Sequence, residues 1–192
     1  MNDDDARQNI NHAVNTLTVG IRNGNMGWLK DTGMCEVCGG YPAEYNLDLG
    51  FEEIIKENKV LTFGGDKKYV LFELSFYNEP NRLKEVVWEL NTLNYQPILA
   101  HVERYPYWFK KWESIEDIVN RDVKLQVNIG SFTGIYGPEV RHTAERLVDK
   151  GMIDLLGTDC HNLRHIEMIK KAICMPYFHK ACELPDLINR QL

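Results

Sequence analysis

Four short apolar runs punctuate this chain, and each leads into a polar residue suited to hold a metal or a phosphate. Residues 69–74 enclose Glu73, residues 97–100 run into His101, residues 124–127 into Asn128, and residues 153–157 into Asp159 and His161. Their length and their aliphatic and aromatic content predict buried strands. Between them the apolar period changes to that of a helix. Leu83, Val86, Val87 and Leu90 define one face of a helix over residues 82–91, with Asn81 as its cap. Pro138 opens another, Val140, Ala144, Leu147 and Val148 form its stripe, and Gly151 stops it. Ser114 with Asp117 predicts a capping pair at the start of a third, and residues 163–172 and 184–192 predict two more.

Strand and helix therefore alternate, which predicts an α/β fold with mostly parallel strands and helices outside. In such folds the carboxyl ends of the strands share one face, where catalytic groups collect. Four polar strand ends predict one shared site. Residues 20–41 break the pattern: six glycines and no sustained period predict an irregular segment where a regular βα protein has a strand.

Composition narrows the function. A chain of 192 residues, 44% hydrophobic and 26% charged, is long enough for a single domain over residues 1–192 with a sizeable core. A net charge of −6 argues against a nucleic-acid surface. Met1 to Asp5 is acidic where a secretory signal would be basic, and no apolar run approaches the roughly 20 residues needed to insert in a membrane. Five cysteines without a regular framework fit reduced thiols. These features predict a cytoplasmic protein.

The segments His101-Val102-Glu103-Arg104-Tyr105 and Gly157-Thr158-Asp159-Cys160-His161, with residues 69–76 and 125–128, resemble the polymerase-and-histidinol-phosphatase (PHP) superfamily. Within it they are similar to the bacterial metal-dependent protein-tyrosine phosphatases of capsule and exopolysaccharide operons, over about residues 43–172. The resemblance implies a distorted (β/α) barrel with divalent metals at the strand ends, manganese first, with iron, zinc or magnesium as alternatives. It implies Glu44, His101, Asp159 and His161 as metal ligands, and Arg104 as the phosphate-binding residue with Arg164 as a second candidate. It implies a phosphotyrosine protein as substrate, among them a bacterial tyrosine kinase of polysaccharide export.

The family's Asp-x-His-x-His and Thr-Pro-His strands have no counterpart here, and His12 is the only histidine before His101. The resemblance therefore implies an incomplete barrel, and it leaves two readings: an active phosphatase, or a truncated and catalytically impaired remnant of one. A third reading makes Cys35-x-x-Cys38 half of a zinc module. The chemistry is coherent with the first. A metal lowers the pKa of a bound water towards about 7, an arginine fork neutralises phosphoryl charge, and a phenolate of pKa about 10 is a tolerable leaving group. Other residues carry structural readings: Glu73 as a buried hydrogen-bonded carboxylate, Asn128 as a fixer of loop backbone, and Tyr105, Tyr107, Trp108 and Phe109 as core aromatics or the walls of a phosphotyrosine entrance.

Overall fold

The alternation between the two periods is realised as β1 (Glu44–Asn46), α1 (Leu49–Lys56), β2 (Tyr69–Glu73), α2 (Leu83–Thr92), β3 (Gln96–Leu99), α3 (Trp112–Val119), β4 (Lys124–Asn128), α4 (Pro138–Asp149), β5 (Leu155–Gly157), α5 (Leu163–Ala172) and α6 (Pro176–Cys182). The structure is a computed structural model that describes residues 44–160 and 163–191. The strands form one sheet in chain order, β1-β2-β3-β4-β5, and every neighbouring pair is parallel. Each crossover is long enough to hold a helix or helical turns, as parallel pairing demands. The fold is α/β, as the sequence predicts.

Successive strand residues point to opposite faces, and this sorts the core. Val70, Phe72, Leu99, Leu125, Val127 and Leu156 share one cluster with helical Val86, Val87, Leu90, Ile115, Ile118, Ala144 and Leu147. Tyr69, Ile98 and Leu155 face the other way and gather with Phe63, Ile188 and Leu71. Going towards the carboxyl ends, this second face becomes polar, with Glu73 on β2 and Gln126 and Asn128 on β4. The sheet thus has an apolar floor and a polar mouth on one side.

Several predicted boundaries shift. The residue ahead of α2 is Arg82, without a side-chain cap, rather than Asn81. Arg82 instead pairs with the buried Glu52 of α1 and with Glu85. Ser114 lies inside α3, which starts at Trp112, and its presumed partner Asp117 holds Arg121 at 3.0 Å and Lys84 at 2.9 Å. In α1, by contrast, the carboxylate of Asp48 accepts the Phe51 amide at 3.0 Å, a regular N-cap.

Among the described residues, 184–191 do not form the α-helix predicted over 184–192; the helical element found there is a 3₁₀ turn, Ile188–Arg190. The reason is a competing use of Asn189. Its Oδ1 accepts the Leu156 amide at 2.8 Å and its Nδ2 donates to the Leu156 carbonyl at 3.0 Å, while Ile188 N donates to the Asp154 carbonyl at 2.7 Å. One side chain thereby satisfies the outer edge of β5, where unpaired backbone groups would otherwise lie exposed. Helix α6, which opens on Pro176 and buries Phe178 and Ala181, is an element the periodicity did not reveal.

Residues 20–41, His12 and the Cys35–Cys38 pair lie outside the described residues. Among the described residues, no helix is long and apolar enough to cross a membrane.

Candidate active site

His101 leaves β3 through a left-handed backbone conformation, φ 34° and ψ 49°. That region is costly for a non-glycine residue and persists only where neighbours hold it. Here the Ala100 amide still donates to the Phe72 carbonyl at 2.8 Å, the His101 amide donates to Gln126 Oε1 at 2.7 Å, and the His101 carbonyl accepts the Arg104 amide at 2.9 Å. The turn aims the imidazole back across the sheet mouth, where only 2% of the residue is exposed.

Two carboxylates meet it there. His101 Nε2 lies 3.2 Å from Glu73 Oε2 and 3.3 Å from Glu44 Oε1. The three residues each offer a ligand atom, all within 4.8 Å of one another, and among the described residues they form the group with that property. Parallel pairing explains the convergence. Glu44 stands in register with Leu71 and Asn46 with Glu73, so Glu44 and Glu73 lie on the same face of adjacent strands. Burial disfavours the imidazolium, but the hydrogen bonds to Glu44 and Glu73 outweigh it and raise the His101 pKa to about 9.

Two carboxylates around one imidazole gather more negative charge than a single proton balances, and His101 Nδ1 has no hydrogen-bond partner among the described residues. This mixed donor set fits a divalent cation of the manganese, iron or zinc kind. Glu73, read from the sequence as a structural carboxylate, thus belongs with the candidate ligands.

A second constellation forms around Arg104. Its Nη1 donates to Asp159 Oδ2 at 2.8 Å, and the same oxygen accepts Asn128 Nδ2 at 3.1 Å. The guanidinium stands 4.9 Å from the Phe76 ring centre and 4.7 Å from that of Tyr136. Phe76 also stacks on the His101 ring, with centroids 5.3 Å apart. One aromatic side chain therefore touches both constellations. Asp159 itself has a left-handed φ of 46°, and its carbonyl is 3.0 Å from His165 Nδ1. The structure places Asp159 against Arg104 and Asn128, outside the group formed by Glu44, Glu73 and His101.

The other predicted positions are dispersed. Arg164 is exposed in the first turn of α5, and His161 lies outside the described residues. Tyr105 and Trp108 are core residues: the Tyr105 hydroxyl donates to the Ala100 carbonyl at 3.1 Å and accepts the Leu74 amide at 2.9 Å, and Trp108 Nε1 donates to Glu79 at 3.0 Å. Phe109 remains partly exposed beside Arg104, in a groove completed by Phe76, Pro106, Tyr136 and Val140.

Behind the mouth, a buried polar network fixes the backbone. Gln126 Nε2 donates to Asn128 Oδ1 at 2.7 Å, the Asn128 amide donates to Glu103 Oε1 at 3.0 Å, and the Ser131 hydroxyl donates to the same oxygen at 2.5 Å. Glu103 is fully buried, and burial pushes its carboxyl pKa up against the lowering effect of the Ser131 bond. Asn128 does fix a loop, as expected, and it also holds Asp159.

The family described as capsular polysaccharide synthesis, CpsB/CapC, matches residues 36–182, well over half of the chain. This chain belongs to the CpsB/CapC family. It is similar to the tyrosine-protein phosphatase YwqE of Bacillus subtilis (strain 168), 26% identical over 113 residues, which are 59% of this chain and 44% of YwqE. It is also similar to the putative tyrosine-protein phosphatase CapC of Staphylococcus aureus, 22% identical over 117 residues, 61% of this chain and 46% of that protein.

Among solved structures, it is similar to one from the work on YwqE from Bacillus subtilis and CpsB from Streptococcus pneumoniae, described as unique metal-dependent tyrosine phosphatases. The TM-score is 0.58 at 24% identity, over 68% of this chain and 54% of that one. This likeness shows that the CpsB/CapC fold is shared. The chain spans about half the length of the curated relatives it matches.

For this CpsB/CapC member, sequence reasoning missed Glu73 as a partner of Glu44 and His101, and it missed Phe76 and Tyr136 as the rings that hold Arg104. A signal for the first existed. Glu73 closes an apolar strand in the same way that His101 and Asn128 follow theirs, so the strand-end rule already pointed to it.

Proposed function

We propose that this chain is a metal-dependent protein-tyrosine phosphatase that acts on a phosphotyrosine protein, specifically a bacterial tyrosine kinase of polysaccharide export, in the cytoplasm. The observation that carries the reading is the meeting of Glu44, Glu73 and His101 beside Arg104, with Phe76 in contact with both His101 and Arg104. The names of the relatives support the same reaction class.

In this reading Glu44, Glu73 and His101 hold a divalent cation, manganese first, and His161 and Asp159 remain proposed as further ligands. The cation would supply electrophilic stabilisation of the phosphoryl oxygens and a water acidic enough to act at neutral pH. Arg104 binds the phosphoryl group, using the donors of its fork that Asp159 does not occupy. Asp159, itself held by Asn128, and the rings of Phe76 and Tyr136 keep the fork from swinging, so little reorganisation is needed when charge develops on the phosphoryl oxygens. Arg164 is the second candidate for a phosphate contact. The departing phenolate, with a pKa near 10, needs no strong acid from the protein.

The test is hydrolysis of a phosphotyrosine peptide with and without added Mn(II). The reading expects metal-dependent release of phosphate with turnover of the order of 1–100 s⁻¹. Release that is indifferent to metal and to chelator would overturn it.

A further inference from the structure

A groove of about 280 Å³ opens at Arg104 and is lined by Phe76, Arg104, Pro106, Phe109, Tyr136 and Val140. We propose that this groove is the subsite that receives the aromatic ring of the substrate's phosphorylated side chain, with the Tyr136 hydroxyl directed to a phosphoryl oxygen. The inference rests on the phosphatase reading and adds to it the residues that select an aryl phosphate over an alkyl one.

Three observations carry it. The first is continuity. Arg104 belongs to the groove lining and to the Asp159 pair, and Phe76 belongs to the lining and stacks on His101. A phosphate held by Arg104 would therefore border the apolar wall of the groove. The second is size and surface. A void of about 150 Å³ accepts a benzene ring, and Pro106, Phe109 and Val140 supply apolar surface that Arg104 does not use. A phosphoserine side chain offers a single methylene to bury there, whereas a phosphotyrosine offers a whole ring.

The third is an unfulfilled donor. The Tyr136 hydroxyl is buried and has no hydrogen-bond partner among the described residues, although the ring itself packs on Arg104. Leaving such a group unpaired costs about 1–3 kcal/mol, and the Tyr136 ring centre stands 4.7 Å from the Arg104 guanidinium, so a phosphoryl oxygen that reaches the hydroxyl would remove that cost. The rim suits a peptide rather than a small aryl phosphate alone. Tyr77 and Ile135, the chain neighbours of the lining residues Phe76 and Tyr136, are 96% and 64% exposed, so apolar surface near the groove in sequence is open to the residues flanking a phosphotyrosine.

The experiment is calorimetric titration of the full chain, in Mn(II) buffer, with two phosphonates that are not hydrolysed: benzylphosphonate and methylphosphonate. The wild type is expected to bind the benzyl compound about ten-fold or more tightly. Phe109→Ala should bring the two within about three-fold by weakening the benzyl compound alone, because Phe109 lies in the groove and outside the buried core clusters. Tyr136→Phe should weaken both phosphonates alike, as loss of a donor to the shared phosphonate group requires.

Equal affinities in the wild type, an unchanged benzyl preference in Phe109→Ala, or no binding of either phosphonate would each overturn the proposal. Its failure is distinguishable from failure of the phosphatase reading. Turnover of a phosphotyrosine peptide without ring preference removes the subsite alone, and ring preference without turnover removes the catalysis alone.

Discussion

Arg104 and Asp159 are joined at 2.8 Å between Nη1 and Oδ2, and both side chains are largely withdrawn from solvent. A buried charge pair is sensitive to loss of one partner, because the other is left without compensation. It follows that Asp159→Asn should release the fork of Arg104. Peptide turnover is expected to fall about 10–100-fold, in the range of residues that orient a reacting group, and Mn(II) content near wild type would leave Asp159 the single role of holding Arg104. Loss of metal in this variant would instead make Asp159 a ligand, and dialysis followed by metal analysis separates the two.

Arg104 is held by geometry that lysine cannot reproduce. A lysine keeps the charge but loses the planar fork and its packing between Phe76 and Tyr136. Arg104→Lys should therefore lower kcat/KM by about 10²–10³, close to the effect of Arg104→Ala. A lysine variant with nearly full activity would show that only a point charge is required.

Gln126 lies directly over Gly157. A β-carbon at position 157 would overlap the Gln126 amide, which holds both the His101 amide and Asn128. Gly157→Ala should cost about 1–3 kcal/mol by overpacking and weaken metal retention as His101 loses its backbone anchor. Urea unfolding and metal analysis of the same sample check both effects. A variant as stable and metal-competent as wild type would mean that Gln126 has another rotamer open to it.

How much of this was readable before the fold was seen depends on the range of the interaction involved. Strands β2 to β5 and helices α2, α4 and α5 stood out because each encodes its own burial in a local period, as Leu83, Val86, Val87 and Leu90 do for α2. Strand β1 is three residues long, too short to show a period, and only its pairing with β2 makes Glu44 a neighbour of Glu73. The turn at Ile188–Arg190 was misread as helix because its decisive bonds, between Asn189 and Leu156, join residues 33 positions apart. His101 and Arg104 were legible through motif spacing. Glu73 was legible as a polar strand end but not as a partner of His101, and Phe76 and Tyr136 were not legible at all, since no spacing in the sequence reports a cross-strand contact or a stacked cation.

Asp154 provides a pH test away from the site. Burial pushes its carboxyl pKa up from the ordinary 3.8, against the lowering effects of the Leu125 amide and Lys124. The folded value lies above the unfolded one, so the fold favours the protonated form. That contribution is complete below the unfolded pKa of 3.8 and is lost as pH rises through the folded value. Asp154→Asn, which keeps an acceptor for the Leu125 amide, should therefore gain stability relative to wild type as pH rises above 3.8, and the gap should stop growing once pH has passed the folded value. A gap that moves the other way would show that the ionised carboxylate stabilises the β4–β5 junction.

The account turns on whether Glu44, Glu73 and His101 hold a metal. Bound manganese per chain after equilibration and exhaustive dialysis addresses this most directly, for the wild type and for Glu44→Gln, Glu73→Gln and His101→Ala, with folding checked by circular dichroism. The account predicts retained metal in the wild type and its loss in all three folded variants. Equal manganese in the wild type and the three variants, or none in any, would contradict it.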